Sequence, residues 1–94
     1  MANNTYSTEN QILVAIDIAK SQHEVLICWP NGKTKQLKVK SNSFEYNQFA
    51  NYLESLDGCL IGFEPTGNYH RTLAYLLSSK GMNLVMVSSL SGAR

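Results

Sequence analysis

The chain has 94 residues, which is the size of one small domain. Hydrophobic residues make up 44% of it and charged residues 16%, and this composition excludes a disordered chain, a collagen-like chain and a coiled coil. The formal net charge is +1, so the overall charge does not by itself favour nucleic acid or a membrane surface as a partner.

The polar N-terminus indicates how the chain is divided, and the cysteines indicate its cellular compartment. Residues 1–10 lack the basic and apolar regions of a signal peptide, and we predict a flexible tail there and one domain over residues 11–94. No apolar run is long enough to cross a membrane. Cys28 and Cys59 match neither a C-x-x-C pair nor a zinc motif. We therefore expect a soluble, cytoplasmic protein whose cysteines are reduced and buried.

Three strands are predicted in the first half of the domain. Residues 11–18 are mostly apolar, which is typical of a central strand covered on both faces. Residues 23–29 and 34–40 form two more strands, and Asn31-Gly32 between them is a strong hairpin signal. The lysines near the third strand suggest either a nucleic-acid patch or an edge strand guarded by charge, and we favour the edge strand. They are Lys33, Lys35, Lys38 and Lys40.

Two helices are predicted in the second half. The first follows Asn42, whose spacing to Glu45 fits a capping box, and it ends before Gly58. The second follows Thr66 as its N-cap and ends at Gly81. Apolar residues at spacings of three and four give each helix one buried stripe.

Strands are predicted over residues 59–64 and 83–88, on either side of the second helix. The order is therefore three strands joined by hairpins, then two helices that alternate with two strands. Right-handed crossovers place the fourth strand beside the first and parallel to it. The sequence thus predicts a mixed α/β sheet of order 3-2-1-4-5, which is the ribonuclease-H-like core.

Two acidic residues end apolar strands of this predicted sheet. Asp17 ends the first strand and Glu64 the fourth, so both should lie at the carboxyl edge, where open α/β sheets place their sites. The two charges would repel unless a divalent cation lay between them, and carboxylates suit Mg²⁺ or Mn²⁺. A two-metal site for phosphodiester cleavage needs three or four carboxylates. We expect none of the remaining acids at that edge: Glu9, Glu24, Glu45, Glu54 and Asp57.

Asp17 alone could be a turn former, and Glu64 alone could be a solvated loop residue. Only the two together favour a metal site. His23 is expected at the surface. His70 is close enough in sequence to Glu64 to approach the mouth of the site. Thr66 and Gly67 offer backbone N–H groups to a phosphate at the start of the second helix.

Two motifs in this sequence resemble the N-terminal domain of the DEDD-type insertion-sequence transposases. This is the family numbered one hundred and ten, which includes the Piv-type DNA invertases. The first motif is VAIDIAK at residues 14–20, and the second is GFEPTGNY at residues 62–69. Residues 83–90 and Ala93-Arg94 match a later stretch of the family pattern. The resemblance extends from about residue 11 to the end of the chain.

The resemblance implies a RuvC-like catalytic domain with four metal-binding acids in the order Asp, Glu, Asp, Asp. Asp17 and Glu64 correspond to the first two. The other two, and a serine nucleophile, would lie beyond residue 94. We therefore expect an N-terminal fragment, truncated after the fifth strand, that does not recombine DNA alone. A two-metal site with Mg²⁺ or Mn²⁺ is expected only in the complete domain.

The resemblance also implies partners. Family members act on DNA as oligomers, and some are guided by a structured RNA. We expect no membrane partner. The candidate nucleic-acid contacts are Lys20, Thr66, Gly67 and His70.

Two other functions are compatible with the predicted fold. A non-catalytic module that binds nucleic acid or protein would need no metal. Half of an actin-like sugar kinase would need a glycine-rich phosphate loop after Asp17, and residues 18–21 contain no glycine. For the expected fragment, we predict an uncovered apolar patch on one sheet face, where later helices should pack, and this patch should promote self-association.

Overall fold

The computed structural model describes residues 11–56, 58–64 and 70–86. Five strands in this part of the chain form one sheet of order β3-β2-β1-β4-β5, and two helices complete the fold. The elements in chain order are β1 (Ile12–Asp17), β2 (Gln22–Cys28), β3 (Thr34–Lys40), α1 (Ser43–Glu54), β4 (Cys59–Glu64), α2 (Arg71–Ser79) and β5 (Asn83–Met86). Neither helix is long and apolar enough to cross a membrane.

The pairing of the strands confirms the predicted ribonuclease-H-like sheet. β1, β2 and β3 form an antiparallel meander, whereas β4 pairs with β1 and with β5 in parallel. Most predicted boundaries hold within one or two residues, as at β2, which begins at Gln22 instead of His23. The described part of α2 begins at Arg71 with His70 at its N-cap. The predicted cap Thr66 and strand residues 87–88 lie outside the described residues.

Residues at the ends of α1 and α2 explain where the helices stop and start. The Asn42 side chain accepts a hydrogen bond of 2.8 Å from the backbone N–H of Glu45, as the N-cap prediction requires. The Glu45 carboxylate accepts from the backbone N–H of Lys40 at 3.3 Å, so it ties the end of β3 to the helix. After α2, Gly81 takes a positive φ of 82°, which a side chain would disfavour.

The core lies on one face of the sheet, under both helices. Alternating residues of β1 and β4 point into it, including Val14, Ile16 and Phe63, and they meet Leu73 and Leu77 of α2. Helix α1 adds a buried stripe of Tyr46, Phe49, Ala50 and Leu53, which matches its predicted apolar face.

The other face of the sheet is uncovered in the described part of the chain, so the expectation that β1 is covered on both faces is wrong. Leu13 of β1 is half-buried, and Leu26 of β2 is 37% exposed. Together with Leu60 and Val85 they line an open groove of about 550 Å³. This agrees with the apolar patch that the sequence predicts.

The two cysteines differ from expectation in their burial. Cys28 and Cys59 are free thiols, as predicted, but each is only half-buried. Cys28 lines the groove on the uncovered face. Cys59 packs against the core, and burial raises the pKa of its thiol.

Candidate metal centre

Asp17 and Glu64 lie side by side at the carboxyl ends of β1 and β4. The parallel register pairs the two residues directly, and neighbouring strands are about 4.8 Å apart. The backbone N–H of Ile18 donates to the carbonyl of Glu64 at 3.4 Å, so the pairing continues past the two acids. Because alternate residues of a strand share a face, both carboxylates stand on the uncovered side of the sheet, and both are exposed. The predicted juxtaposition is confirmed.

A third carboxylate, that of Glu24, lies beside Asp17, so Glu24, Asp17 and Glu64 form a row across three strands. The prediction that no other acid lies at this edge is wrong. In the antiparallel pairing of β1 and β2, Glu24 stands directly opposite Asp17. It lines the same groove as Asp17 and Glu64. Two signals in the sequence indicate this position. The connection between the strands is short, and His23 and Val25 alternate with Glu24 so that they face the core while it faces outward.

The carboxylates of this row suit a hard cation, but among the described residues they do not form a complete metal site. Carboxylate oxygens are the ligands that Mg²⁺ and Mn²⁺ prefer. Within residues 11–56, 58–64 and 70–86, no group of three or more His, Cys, Asp or Glu side chains could hold a metal ion. The one ion pair in the same ranges joins Lys80 to Glu54 at 3.8 Å. Asp17 and Glu64 therefore fit as two ligands of a larger set.

His23 is wrongly predicted as a surface residue. It faces the core from β2, and its exposed fraction is 0%. Its ring forms hydrogen bonds at both nitrogens, to Ala19 and Tyr46. Burial lowers the pKa of the imidazole, so the ring is neutral at pH 7.

The described residues include two of the four predicted nucleic-acid contacts, Lys20 and His70. Lys20 is exposed in the connection that follows Asp17. His70 is half-buried at the N-cap of α2, and its ring lies 6.4 Å from that of Phe63, the residue before Glu64. Among the described residues, the buried Nδ1 of His70 has no hydrogen-bond partner. Thr66 and Gly67 lie outside the described residues.

The lysine-rich strand β3 lies at the edge of the sheet, as predicted. The four lysines in or next to β3 are exposed, but they do not share one face of the sheet. The Nζ atom of Lys35 lies 4.9 Å from the ring centroid of Tyr52 on the helical side of the sheet. Lys38 pairs in register with Glu24, on the uncovered side. This arrangement agrees with an edge strand guarded by charge.

Comparison with solved structures shows the same fold in two Pelota proteins. The Pelota protein of Thermoplasma acidophilum has a TM-score of 0.57 and 16% identity over 89% of this chain. Pelota of Archaeoglobus fulgidus has a TM-score of 0.61 and 17% identity over 92% of it. This chain spans 29% of the length of each of those two chains. At such identities the likeness concerns the fold alone.

The family comparison gives more than the fold. No curated protein matches the chain significantly. A family model described as a DEDD transposase of the IS110 type does match, and the match includes both motifs that carry Asp17 and Glu64. Because that match covers residues 14–94, the chain belongs to the IS110-type DEDD transposase family.

Proposed function

We propose that this chain supplies two metal-binding carboxylates, Asp17 and Glu64, to the catalytic domain of a DNA transposase of mobile elements. The observation that supports this proposal is their direct pairing in register on adjacent parallel strands. Membership of the IS110-type DEDD transposase family supports the transposase part of the proposal. The proposal also includes a tail over residues 1–10 and one domain over residues 11–94.

The two side chains have a simple role in this proposal. A bound Mg²⁺ or Mn²⁺ would activate the attacking oxygen and stabilise the leaving oxygen of a phosphodiester. Asp17 and Glu64 would hold that ion through their carboxylate oxygens, which suit a hard cation. The parallel register of β1 and β4 keeps the backbones of the two acids on neighbouring strands.

Nucleic acid would approach along the same edge. Lys20 follows Asp17 by three positions and is exposed, so its ammonium group can contact a phosphate. We assign the same role to His70, Thr66 and Gly67, which come from the segment between Glu64 and α2. DNA is the proposed partner, with a guide RNA as a further one.

Mn²⁺ titration tests the metal proposal. We expect Mn²⁺ to broaden the amide NMR signals of Asp17 and Glu64 first, because the paramagnetic ion sits nearest to them. Asp17→Asn and Glu64→Gln should each weaken binding at least about ten-fold, since each removes a charged ligand. Glu54→Gln is the matched control, because Glu54 is exposed and near Lys80 and Cys59 at the other end of the sheet.

The same titration separates this function from the alternative. If Asp17→Asn and Glu64→Gln broaden like the unaltered chain, the carboxylates do not bind the ion and the proposal fails. The exposed lysines of β3 favour the second candidate, a non-catalytic nucleic-acid-binding module. That module would bind DNA or RNA equally well in EDTA and would lose affinity when Lys38 and Lys40 are replaced by glutamine.

We further propose that the chain self-associates through the uncovered sheet face. Leu26 and Val85 are exposed there, at 37% and 44%, and Leu13 and Leu60 extend the apolar surface between them. Sedimentation velocity should show a mass that rises with concentration, and Leu26→Lys should reduce the rise. Tyr75→Lys, on the outer side of α2 where Tyr75 is 77% exposed, should leave it unchanged. A concentration-independent monomer would contradict the proposal.

A further inference from the structure

His23 makes two hydrogen bonds that determine which of its nitrogens carries the proton. The backbone N–H of Ala19 donates to Nδ1 at 3.2 Å, so Nδ1 is unprotonated. The proton of the neutral ring is therefore on Nε2, which donates to the hydroxyl of Tyr46 at 2.8 Å. The hydroxyl of Tyr46 also forms a hydrogen bond of 3.0 Å with the hydroxyl of Ser41. The chain of bonds therefore extends from Ala19 through His23 and Tyr46 to Ser41.

This chain of bonds connects three segments of the fold. Ala19 belongs to the connection between β1 and β2, Ser41 to the connection between β3 and α1, and Tyr46 to α1. The backbone N–H of Ser41 also donates to the carbonyl of Ser21 at 3.0 Å. The connection at residues 18–21 is thus held at two points, by His23 and by Ser41.

We propose that His23 is a positioning residue, whose neutral imidazole holds the connection at residues 18–21 and so orients Asp17 and Lys20. The connection begins directly after Asp17 and contains Lys20. Without the Ala19 hydrogen bond, the end of β1 would keep its pairing with β4 but lose one of the two contacts that hold the chain beyond it. The consequence for metal binding rests on the proposed function, whereas the holding of the connection does not.

Protonation of His23 would break this arrangement. A protonated ring carries a hydrogen on Nδ1, so it cannot accept from the Ala19 N–H. Around the ring, Val39 faces it from β3, and Tyr46 is the titratable group in contact from α1. The charged residues on the neighbouring elements do not face the ring. Five of them are exposed, namely Asp17, Lys20, Glu24, Lys38 and Lys40. Glu45 is half-buried at the start of α1. None replaces the Ala19 bond, so acid removes one of the two contacts that hold residues 18–21.

NMR on the unaltered protein tests the inference without metal. Nitrogen shifts of the imidazole should show the Nε2–H form of His23, and the Ala19 amide should be protected from hydrogen exchange at pH 7.5. Both should change together as the pH is lowered, and at a lower pH than ordinary histidine titration. His70 is the only other histidine of the chain and provides an internal comparison. An Nδ1–H form of His23, or an Ala19 amide that exchanges freely, would overturn the inference.

Two variants distinguish a hydrogen-bonding role from simple space filling. In His23→Asn the side-chain oxygen can take the place of Nδ1 and accept from Ala19, whereas in His23→Gln the amide reaches toward Tyr46 instead. We expect Ala19 exchange to accelerate about ten-fold more in the glutamine variant than in the asparagine variant. Equal exchange in the two variants would refute the role. If Mn²⁺ binding is then unchanged in His23→Gln, the positioning of Asp17 fails while the hold on residues 18–21 stands. If the unaltered protein does not bind Mn²⁺, the proposed function fails instead.

Discussion

Replacing Phe63 by alanine should lower the free energy of unfolding by about 3–5 kcal/mol. The Phe63 side chain has an exposed fraction of 0% and lies on β4 between Ile16 of β1 and Met86 of β5. Removing the ring leaves a cavity in a small core, where few other side chains can move to fill it. A domain of this size has a total stability of about 5–10 kcal/mol, so this one change removes a large part of it.

Urea unfolding followed by fluorescence of Trp29 measures this loss. Tyr75→Ala is the control, because it also removes an aromatic ring but from a position that is 77% exposed. We expect that control to change the free energy of unfolding by no more than about 0.5 kcal/mol. Equal losses in the two variants would contradict the arrangement in which α2 buries Phe63 and leaves Tyr75 in solvent.

Stability should also fall as the pH decreases from 7 toward 5, because of His23. Burial lowers the pKa of His23 in the folded chain below the ordinary value of 6.5. Between those two values the unfolded chain binds a proton that the folded chain does not, so acid favours unfolding. The stabilising contribution is complete above about pH 6.5 and is lost as the pH falls toward the folded pKa. The slope from this one group is at most about 1.4 kcal/mol per pH unit.

The difference between the unaltered protein and His23→Asn isolates this effect. Other groups titrate in both proteins, so the slope with pH that is due to His23 appears only in the difference between their unfolding free energies. We expect that difference to shrink as the pH falls from 7 to 5, since asparagine carries no proton to gain. A difference that stays constant across this range would show that His23 is not held neutral by the fold.

The strand order and the Asp17–Glu64 pair could be predicted because each depends on strong local patterns. The Asn31-Gly32 hairpin and the two crossovers leave few possible sheets, and parallel neighbours bring their carboxyl ends together. For Glu24 and His23 the prediction is wrong because it does not extend the alternation of β2 to the start of the strand. Val25 and Ile27 face the core, so His23 faces the core with them, and Glu24 faces outward opposite Asp17.

The burial of His23 could not be predicted from its own residue type either. Histidine is polar, and it is buried here because the backbone N–H of Ala19 and the hydroxyl of Tyr46 provide partners, of which Tyr46 comes from a helix that is distant in sequence. Similarly, β1 is apolar on both faces, and its residues alone do not distinguish a strand covered on both faces from one with an open face. Local pattern therefore predicts the elements, while partners brought by the tertiary structure decide which polar groups are buried.

The mixture of antiparallel and parallel pairing in the sheet has a consequence for the order of assembly. The meander of β1, β2 and β3 needs only contacts between neighbours in the sequence, and such contacts cost little chain entropy to form. The pairing of β1 with β4 must instead close a long loop that contains two strands and a helix, so it belongs to the slow, non-local part of folding. Any partly folded chain that holds the meander without β4 has Asp17 beside Glu24 and still lacks Glu64. Occupancy by a divalent ion would therefore report the completion of the sheet, and the ion would favour that last step by binding only the finished form.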